Sequence, residues 1–418
     1  MDKMLVAGGE TLRGEVSVSG AKNSALPLIF STLLASGEHK LTNVPRLRDI
    51  DSSMALMNSL GCQTQFENNQ LTIKVDDSLE TLAHYDQVRK MRASILVLGP
   101  LLSRFKKARV SLPGGCAIGA RPIGMHLDAL TKMGAQIEVD GGYVVAKTTG
   151  LKGATIDLPF ATVGGTENIM MAASLAEGTT TINNAAREPE ITDLGNYLST
   201  MGARVEGLGS SSIKITGAKE LKAGEHRVIP DRIEAGTLMV AGAITKGEVV
   251  VKNCNPEHLK SFSEALQKMG VELDISENTI IVRGKESLSP IEVTTEPFPG
   301  FPTDLQAQLM ALMTQTPGVS QIAEKVFENR FMHVSELMRL GANIEIEGKV
   351  AKIKGGGKKL VAAPVMATDL RASASLILAG LVAEGETEVN RIYHLDRGYE
   401  KLEEKLSSLG ANIKRVKV

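Results

Sequence analysis

"SFSEALQKMGVELDI", residues 261–275, places Phe262, Ala265, Leu266 and Met269 at the spacing of one helical face, then alternates apolar and polar residues as a strand does. Gly270 stands between the two patterns, where a glycine can take the left-handed conformation that closes a helix. The phrase recurs along the chain: "NSLGCQ" (58–63), "TKMGAQ" (131–136), "STMGAR" (199–204), "QKMGVE" (267–272), "MRLGAN" (338–343) and "SSLGAN" (407–412). Gly61, Gly134, Gly202, Gly270, Gly341 and Gly410 are therefore spaced 73, 68, 68, 71 and 69 residues apart. A period of roughly seventy residues exceeds that of a solenoid repeat, so each of the six copies reads as a small α/β module.

Upstream of each phrase lies an almost wholly apolar helix: "ALPLIFSTLLASG", "ASILVLGPLLS", "NIMMAASLAEG", "GTLMVAGAITKG", "LQAQLMALMTQ" and "ASASLILAGLVAEG". A helix apolar on every side is buried on every side. Short strands such as "EVVVKN" and "TTTINN" follow. One unit reads as strand, buried helix, strand, loop, surface helix, strand, and the chain as an α/β protein of six such units. Three units gathered around their buried helices, with sheets outside, would make one domain, and six would make two. Residues 4–18, "MLVAGGETLRGEVSV", read as the strands that open the first unit or, equally, as strands that complete the last sheet.

Composition narrows the partners. The 418 residues are 43% hydrophobic and 23% charged, with a formal net charge of −1, which is the balance of a soluble protein and gives no electrostatic reason to expect nucleic acid or a membrane surface. No apolar run reaches a signal peptide or a membrane span, so a cytoplasmic location is expected. Cys62, Cys116 and Cys254 are too few and too scattered for a disulfide framework. "CNPEH" (254–258) offers one Cys and one His, short of the four ligands a zinc site needs.

Two places in every unit interrupt the apolar pattern. The first is the N-terminal edge of the buried helix: "SGAKNSA" (19–25), "RKMRASI" (89–95), "ATVGGTEN" (161–168), "PDRIEAG" (230–236), "PTDLQAQ" (302–308) and "ATDLRAS" (367–373). Free N–H groups and the positive dipole end make such a terminus suited to anions. The second is the loop before the surface helix, as in "LPGGCAIGARPIG" (112–124), "KVFENRFMHV" (325–334) and "NRIYHLDRGYE" (390–400). If approximate symmetry makes these edges converge, Lys22, Arg92, Arg121, Arg330, Arg371 and Arg397 form a positive cluster matched to a small polyanion bearing phosphate and carboxylate.

Plainer readings exist for most of these residues. A lone Arg or Lys on a loop is a solvated charge. Asp304 and Asp369 read most simply as helix-start residues, Asp231 with Glu234 as a capping box, and Cys62 and Cys254 as small buried hydrophobes. Cys116 is different: between Gly115 and Gly119 it would be an exposed thiol, with Arg121 expected near enough to lower its pKa towards neutrality. Such a thiol serves as nucleophile or as proton donor. A nucleophile would want a histidine base, and His126 is ten residues on in an expected helix, so proton donation is the better fit.

"GAKNSALP", "MRASILVLGPLL", "PGGCAIGARP", "VGGTENIMMAA", "PDRIEAGT", "FPTDLQAQ", "VFENRFMHVSEL", "ATDLRASASLILAG" and "YHLDRGYEKLEEKL" resemble, from end to end, the bacterial UDP-N-acetylglucosamine 1-carboxyvinyltransferases, enolpyruvyl transferases that begin peptidoglycan synthesis. The resemblance implies two inverse α/β barrel domains, each of three repeated units, with the substrates between them. One domain would be 22–229, and the other 1–21 joined to 230–418. It implies transfer of the enolpyruvyl group of phosphoenolpyruvate to the 3-hydroxyl of UDP-N-acetylglucosamine with release of phosphate, without metal or organic cofactor. The related 5-enolpyruvylshikimate-3-phosphate synthase and a non-catalytic UDP-sugar-binding paralogue are the rival readings.

By the same resemblance Cys116 donates the proton, forms a phosphoenolpyruvate adduct and is alkylated by fosfomycin, while Asp304 accepts the hydroxyl proton. Lys22, Asn23, Arg121, Arg330, Arg371 and Arg397 would hold phosphoenolpyruvate, with Lys22 and Arg397 also counted as catalytic. Arg92, Arg121, Pro122, Ile123, Gly124, Met125, Thr162, Val163, Gly164, Asp304 and Val326 would hold the UDP-sugar. Gly124 replaces a more usual aspartate, and Gly165 a more usual alanine, a change expected to be harmless. Residues 112–121 are expected to act as a lid that orders on the UDP-sugar.

Overall fold

The periodic phrase becomes a repeated supersecondary unit. A computed structural model describes residues 2–113 and 123–417, and in it the described residues form six four-stranded sheets of one strand order. In the third, Thr155–Asp157 runs parallel to Thr179–Asn183, which pairs antiparallel with Ser212–Thr216, which in turn pairs antiparallel with Arg204–Glu206. The Val163–Ala173 helix crosses between the parallel strands, and Pro189–Met201 precedes the hairpin. All six phrase glycines end their helices in the left-handed region, with φ of 101°, 97°, 119°, 98°, 95° and 99° in chain order. A side chain there would be strained, which is why glycine recurs.

Three features differ from the sequence reading. Five of the six units hold one more strand than expected: Gln70–Val75, Tyr143–Lys147, Ser212–Thr216, Thr279–Arg283 and Val350–Gly355 are hairpin returns lying between the crossover strand and the outer strand. The turn residues "ENNQ", "DGGY", "SENT" and "EGKV" are the signal that marks them.

The second difference concerns the later part of residues 4–18. Lys3–Ala7 completes the last sheet, between Glu386–Asn390 and Asn412–Val416, as one of the two readings has it, whereas Arg13–Ser17 runs parallel to Glu248–Lys252 and opens the fourth unit. The strand that opens the first unit is Glu225–Arg227, parallel to Gly37–Thr42. Thirdly, Pro189–Met201 buries nine of its thirteen residues. It is tied down because the Tyr197 hydroxyl meets His39 Nδ1 at 2.6 Å and the helix packs on Lys22–Ser31.

The units gather in threes around two separate hydrophobic cores. Residues 2–19 with 230–417 form one compact body, and 20–113 with 123–229 the other. In the first, every residue of Gln306–Thr314 is buried, as is every residue of Arg232–Ile244 after Arg232, and these helices pack with Leu370–Gly380. In the second, Leu98–Phe105 packs on Val163–Ala173, and the Arg92–Val97 turn leading into it packs on Lys22–Ser31. Among the described residues no helix is long and apolar enough to cross a membrane.

Candidate active site

The three buried helices of the 230–417 body start with an aspartate each, and the three behave differently. Asp231 caps Arg232–Ile244, accepting from the N–H groups of Ile233 and Glu234 at 2.8 and 3.1 Å. Asp369 caps Leu370–Gly380 in the same way, through Arg371 and Ala372 at 2.8 and 3.0 Å. Asp304 is the acidic residue of the first turn, Thr303–Leu305, as a helix-start residue would be. Its two carboxylate oxygens accept from Arg330 Nη2 at 2.7 Å and Arg371 Nη2 at 3.1 Å, which the helix-start reading does not account for. The capping box is corrected by half, since Glu234 accepts from the Ser19 N–H and pairs with Lys405.

Arg330 and Arg371 are 7% and 4% exposed in their side chains, so two nearly dry cations share one carboxylate that is 26% exposed. Burial opposes the Arg371 charge, but Asp304 foremost, then Tyr399 and Asp231, outweigh it and raise its pKa above the ordinary arginine value. Arg371 Nε and Nη1 are buried without a hydrogen-bond partner among the described residues. Such groups are costly unless a ligand supplies acceptors. Arg397 ends the Ile392–Arg397 turn, half-buried, and its charge adds to burial in lowering the pKa of His394.

A residue the sequence reading missed holds this region in place. Glu324, 1% exposed, accepts from the Val326 and Phe327 N–H groups at 2.9 and 3.0 Å and from the hydroxyls of Thr295 and Thr303, both at 2.8 Å. It therefore fixes both the Val326 backbone and the turn that carries Asp304. The sequence offered a faint signal, a carboxylate following directly on the strand "GVSQIA".

In the 20–229 body, Lys22 and Asn23 open the Lys22–Ser31 helix, with Lys22 buried and its Nζ 3.5 Å from the Asp49 carboxylate. Arg92 opens the Arg92–Val97 turn. Thr162 caps Val163–Ala173 by accepting from Gly165 N at 3.3 Å, and Gly164 follows Val163 in the first turn. A Cβ added at Gly165 would stand 2.4 Å from Thr162 Cγ2, so an alanine at this position needs the Thr162 side chain to turn. Ile123, Gly124 and Met125 lie at the start of Gly124–Lys132, and a Cβ built on Gly124 would meet nothing within 4 Å among the described residues. Glu167 was not singled out from the sequence. It is buried, and burial, then Glu190 and Glu188, push its pKa well up.

Cys116, Arg121 and Pro122 lie outside the described residues, as does the lid expectation beyond Leu112 and Pro113. Cys62 and Cys254 are buried as expected, their thiols pushed up by burial to about 12 and about 11. Among the described residues no group of three or more metal-ligating side chains occurs.

The chain matches the family model described as EPSP synthase (3-phosphoshikimate 1-carboxyvinyltransferase) over residues 6–406. It is 56% identical over 420 residues to the UDP-N-acetylglucosamine 1-carboxyvinyltransferase of Geotalea uraniireducens (strain Rf4), covering 100% of both chains. The chain belongs to the UDP-N-acetylglucosamine 1-carboxyvinyltransferase family. A second member, from Bdellovibrio bacteriovorus, is 55% identical over 413 residues, covering 99% of this chain and 100% of its own. Among solved structures, the enolpyruvyl transferase NikO from Streptomyces tendae superposes with a TM-score of 0.89 at 25% identity, covering 100% of this chain and 99% of that one. EPSP synthase from Acinetobacter baumannii gives 0.78 at 20% identity, with both chains covered completely. As in these enolpyruvyl transferases, the fold is a pair of inverse α/β barrels, here with three repeated units in each. The protein is an enolpyruvyl transferase.

Proposed function

We propose that the chain transfers the enolpyruvyl group of phosphoenolpyruvate to the 3-hydroxyl of UDP-N-acetylglucosamine and releases inorganic phosphate. What supports the reading from within the molecule is the Arg330–Asp304–Arg371 bridge, two nearly dry guanidiniums on one carboxylate, with further N–H groups of Arg371 left without acceptors among the described residues. Phosphoenolpyruvate brings a phosphate and a carboxylate, the two groups that guanidinium matches bidentately. Lys22, Asn23, Arg121 and Arg397 complete its binding set in this reading, and Arg92, residues 121–125, Thr162, Val163, Gly164 and Val326 take the nucleotide sugar.

The reaction then follows from the residue types. C3 of phosphoenolpyruvate gains a proton from the Cys116 thiol, and C2 becomes electrophilic. The sugar oxygen adds to C2, and its proton passes to Asp304. The Cys116 thiolate left by the first step takes a proton back from C3, that C–H electron pair forms the C2–C3 double bond, the bond from C2 to the phosphate oxygen breaks, and phosphate leaves with its electron pair. Lys22 and the arginines stabilise the charge that shifts during both steps. Anion binding by Arg330 and Arg371 also relaxes their hold on Asp304, which can then accept a proton.

The test is phosphate release from phosphoenolpyruvate with UDP-N-acetylglucosamine or shikimate 3-phosphate as the acceptor. Release with the nucleotide sugar alone is expected. Release with shikimate 3-phosphate alone would transfer the chain to the synthase activity, and release with neither would leave a binding paralogue. Cys116→Ser should lose turnover and the mass increment of fosfomycin while still binding the nucleotide sugar. Unchanged turnover in that variant removes the thiol from the mechanism.

A further inference from the structure

Arg397 ends a short turn, Ile392–Arg397, that has little regular structure of its own to hold it. Two residues that are not glycine, Arg391 with φ of 59° and Lys401 with φ of 47°, bracket the segment in the left-handed region, a conformation that surrounding contacts must maintain. One set of contacts follows directly on Arg397. A Cβ built on Gly398 would stand 2.6 Å from both Cδ atoms of Leu370, and the buried Tyr399 hydroxyl meets Thr237 Oγ1 at 2.9 Å and Gln308 Nε2 at 3.0 Å.

The other set acts directly before Arg397, from the last strand of the chain. Arg415, on Asn412–Val416, donates from Nη2 to Asp396 Oδ1 at 2.6 Å and from Nη1 to Asp396 Oδ2 at 3.2 Å, and its Nε donates to Glu403 Oε1 at 2.7 Å. A third carboxylate, that of Asp2, lies 3.6 Å from Nη1. The side chains of Arg415, Asp396 and Glu403 are 26%, 18% and 14% exposed, so this is a more sheltered cluster than the solvated pairs that contribute little. The bonds to Asp396 foremost, then to Glu403, outweigh burial and raise the Arg415 pKa above the ordinary arginine value. The strand itself already pairs through its backbone with Lys3–Ala7, so the sheet does not depend on the Arg415 side chain. What the two-point fork does is fix the plane and direction of the Asp396 carboxylate. In a turn of about three residues the next side chain, Arg397, points about 120° away, and its direction is set along with that of Asp396.

We propose that Arg415 is a positioning residue for the transfer reaction: through its fork on Asp396 it aims Arg397 at phosphoenolpyruvate. The inference rests on the reading of Arg397 as a phosphoenolpyruvate-binding residue and adds to it a residue that neither the repeat pattern nor the motifs had singled out.

The experiment measures phosphoenolpyruvate affinity in the full chain, from the rise of Tm with phosphoenolpyruvate concentration. Arg415→Gln should weaken that affinity about three- to tenfold, the scale on which residues of one network couple, and leave the affinity for UDP unchanged. In turnover the same loss should appear in KM for phosphoenolpyruvate and not in KM for the nucleotide sugar. Arg415→Lys keeps the charge and loses the fork, so it should weaken phosphoenolpyruvate to a similar extent; full affinity with lysine would mean that charge alone matters and would overturn the positioning role. Arg397→Gln should weaken binding by itself, and adding Arg415→Gln to it should cost nothing more. Losses that multiply in the double variant would reduce Arg415 to a stabiliser of the fold and overturn the proposal, as would an affinity that Arg397→Gln leaves untouched. Non-additive losses in a chain that binds phosphoenolpyruvate but does not pass it to UDP-N-acetylglucosamine would support the role of Arg415 and overturn the acceptor reading alone. If Arg415→Gln does not fold, Asp396→Asn combined with Arg397→Gln makes the same comparison.

Discussion

Asp304→Ala separates the two jobs that an aspartate at a helix start can do. If Asp304 were a cap, its loss would cost about 0.5–2 kcal/mol at any phosphate concentration. As the shared counter-ion of Arg330 and Arg371, 2.7 and 3.1 Å away, it removes more when deleted, because two side chains only 7% and 4% exposed are left facing each other with like charge. One such pair is worth about 4 kcal/mol at 4 Å with an effective dielectric constant near 20. Against this stand the smaller cost of hydrating a site that loses a carboxylate and the partial exposure of Asp304, so the net loss is about 2–4 kcal/mol, near the lower end for breaking a buried ion pair. In a body of this size that lowers Tm by roughly 4–16 °C. Inorganic phosphate discriminates further. In the variant it replaces the missing negative charge, and anything that binds only the folded chain stabilises it by mass action. Thermal melting with and without phosphate should therefore show a larger upward shift for Asp304→Ala than for the unaltered chain. Equal shifts in the two, or a Tm loss that phosphate does not touch, would refute the counter-ion argument. Asp304→Asn, which keeps the shape without the charge, should resemble the alanine variant in stability and in lost turnover.

Gly165→Ala should lower Tm through the 2.4 Å approach to Thr162 Cγ2, at a cost of about 1–3 kcal/mol, and adding Thr162→Ser, which removes that methyl, should restore most of the loss; additive effects of the two changes would dismiss the clash. Gly124→Asp adds a Cβ that meets nothing within 4 Å among the described residues and places a carboxylate in the first turn of a helix, so melting should show it neutral to stabilising by about 0.3–1 kcal/mol. Burial holds His39 and His126 down to about 4, so each keeps its full stabilising contribution above pH 6.5 and loses it as pH falls from 6.5 towards 4, because the unfolded chain takes up the protons first. Glu167, pushed up by burial, works in the opposite sense over part of that range. Denaturant titrations from pH 7.5 to 5 should consequently show a shallower decline for His39→Gln than for the unaltered chain, and a steeper one for Glu167→Gln.

How much of this could be read in advance depends on whether a residue's role is local. The six phrase glycines were legible because only glycine takes φ near 100° without strain, and the buried helices because they have no polar side to expose. Hairpin return strands were lost because a two-residue turn hides the boundary between two alternating runs. The destination of Arg13–Ser17 was out of reach because its partner lies more than two hundred residues away, at Glu248–Lys252. Asp231, Asp304 and Asp369 make the sharpest case. They occupy the same place in three copies of one unit, and local chemistry gives all three the same meaning. Two of them cap. At the third, Arg330 and Arg371, 26 and 67 residues further along, reach both carboxylate oxygens. The repeat builds three equivalent helix starts, and a pair of arginines breaks the equivalence at one of them. Chemistry in a protein of repeated parts is to be sought where a long-range partner adds to the local role, and a helix-start carboxylate held by two buried cations is a physical sign of it that can be recognised without an alignment.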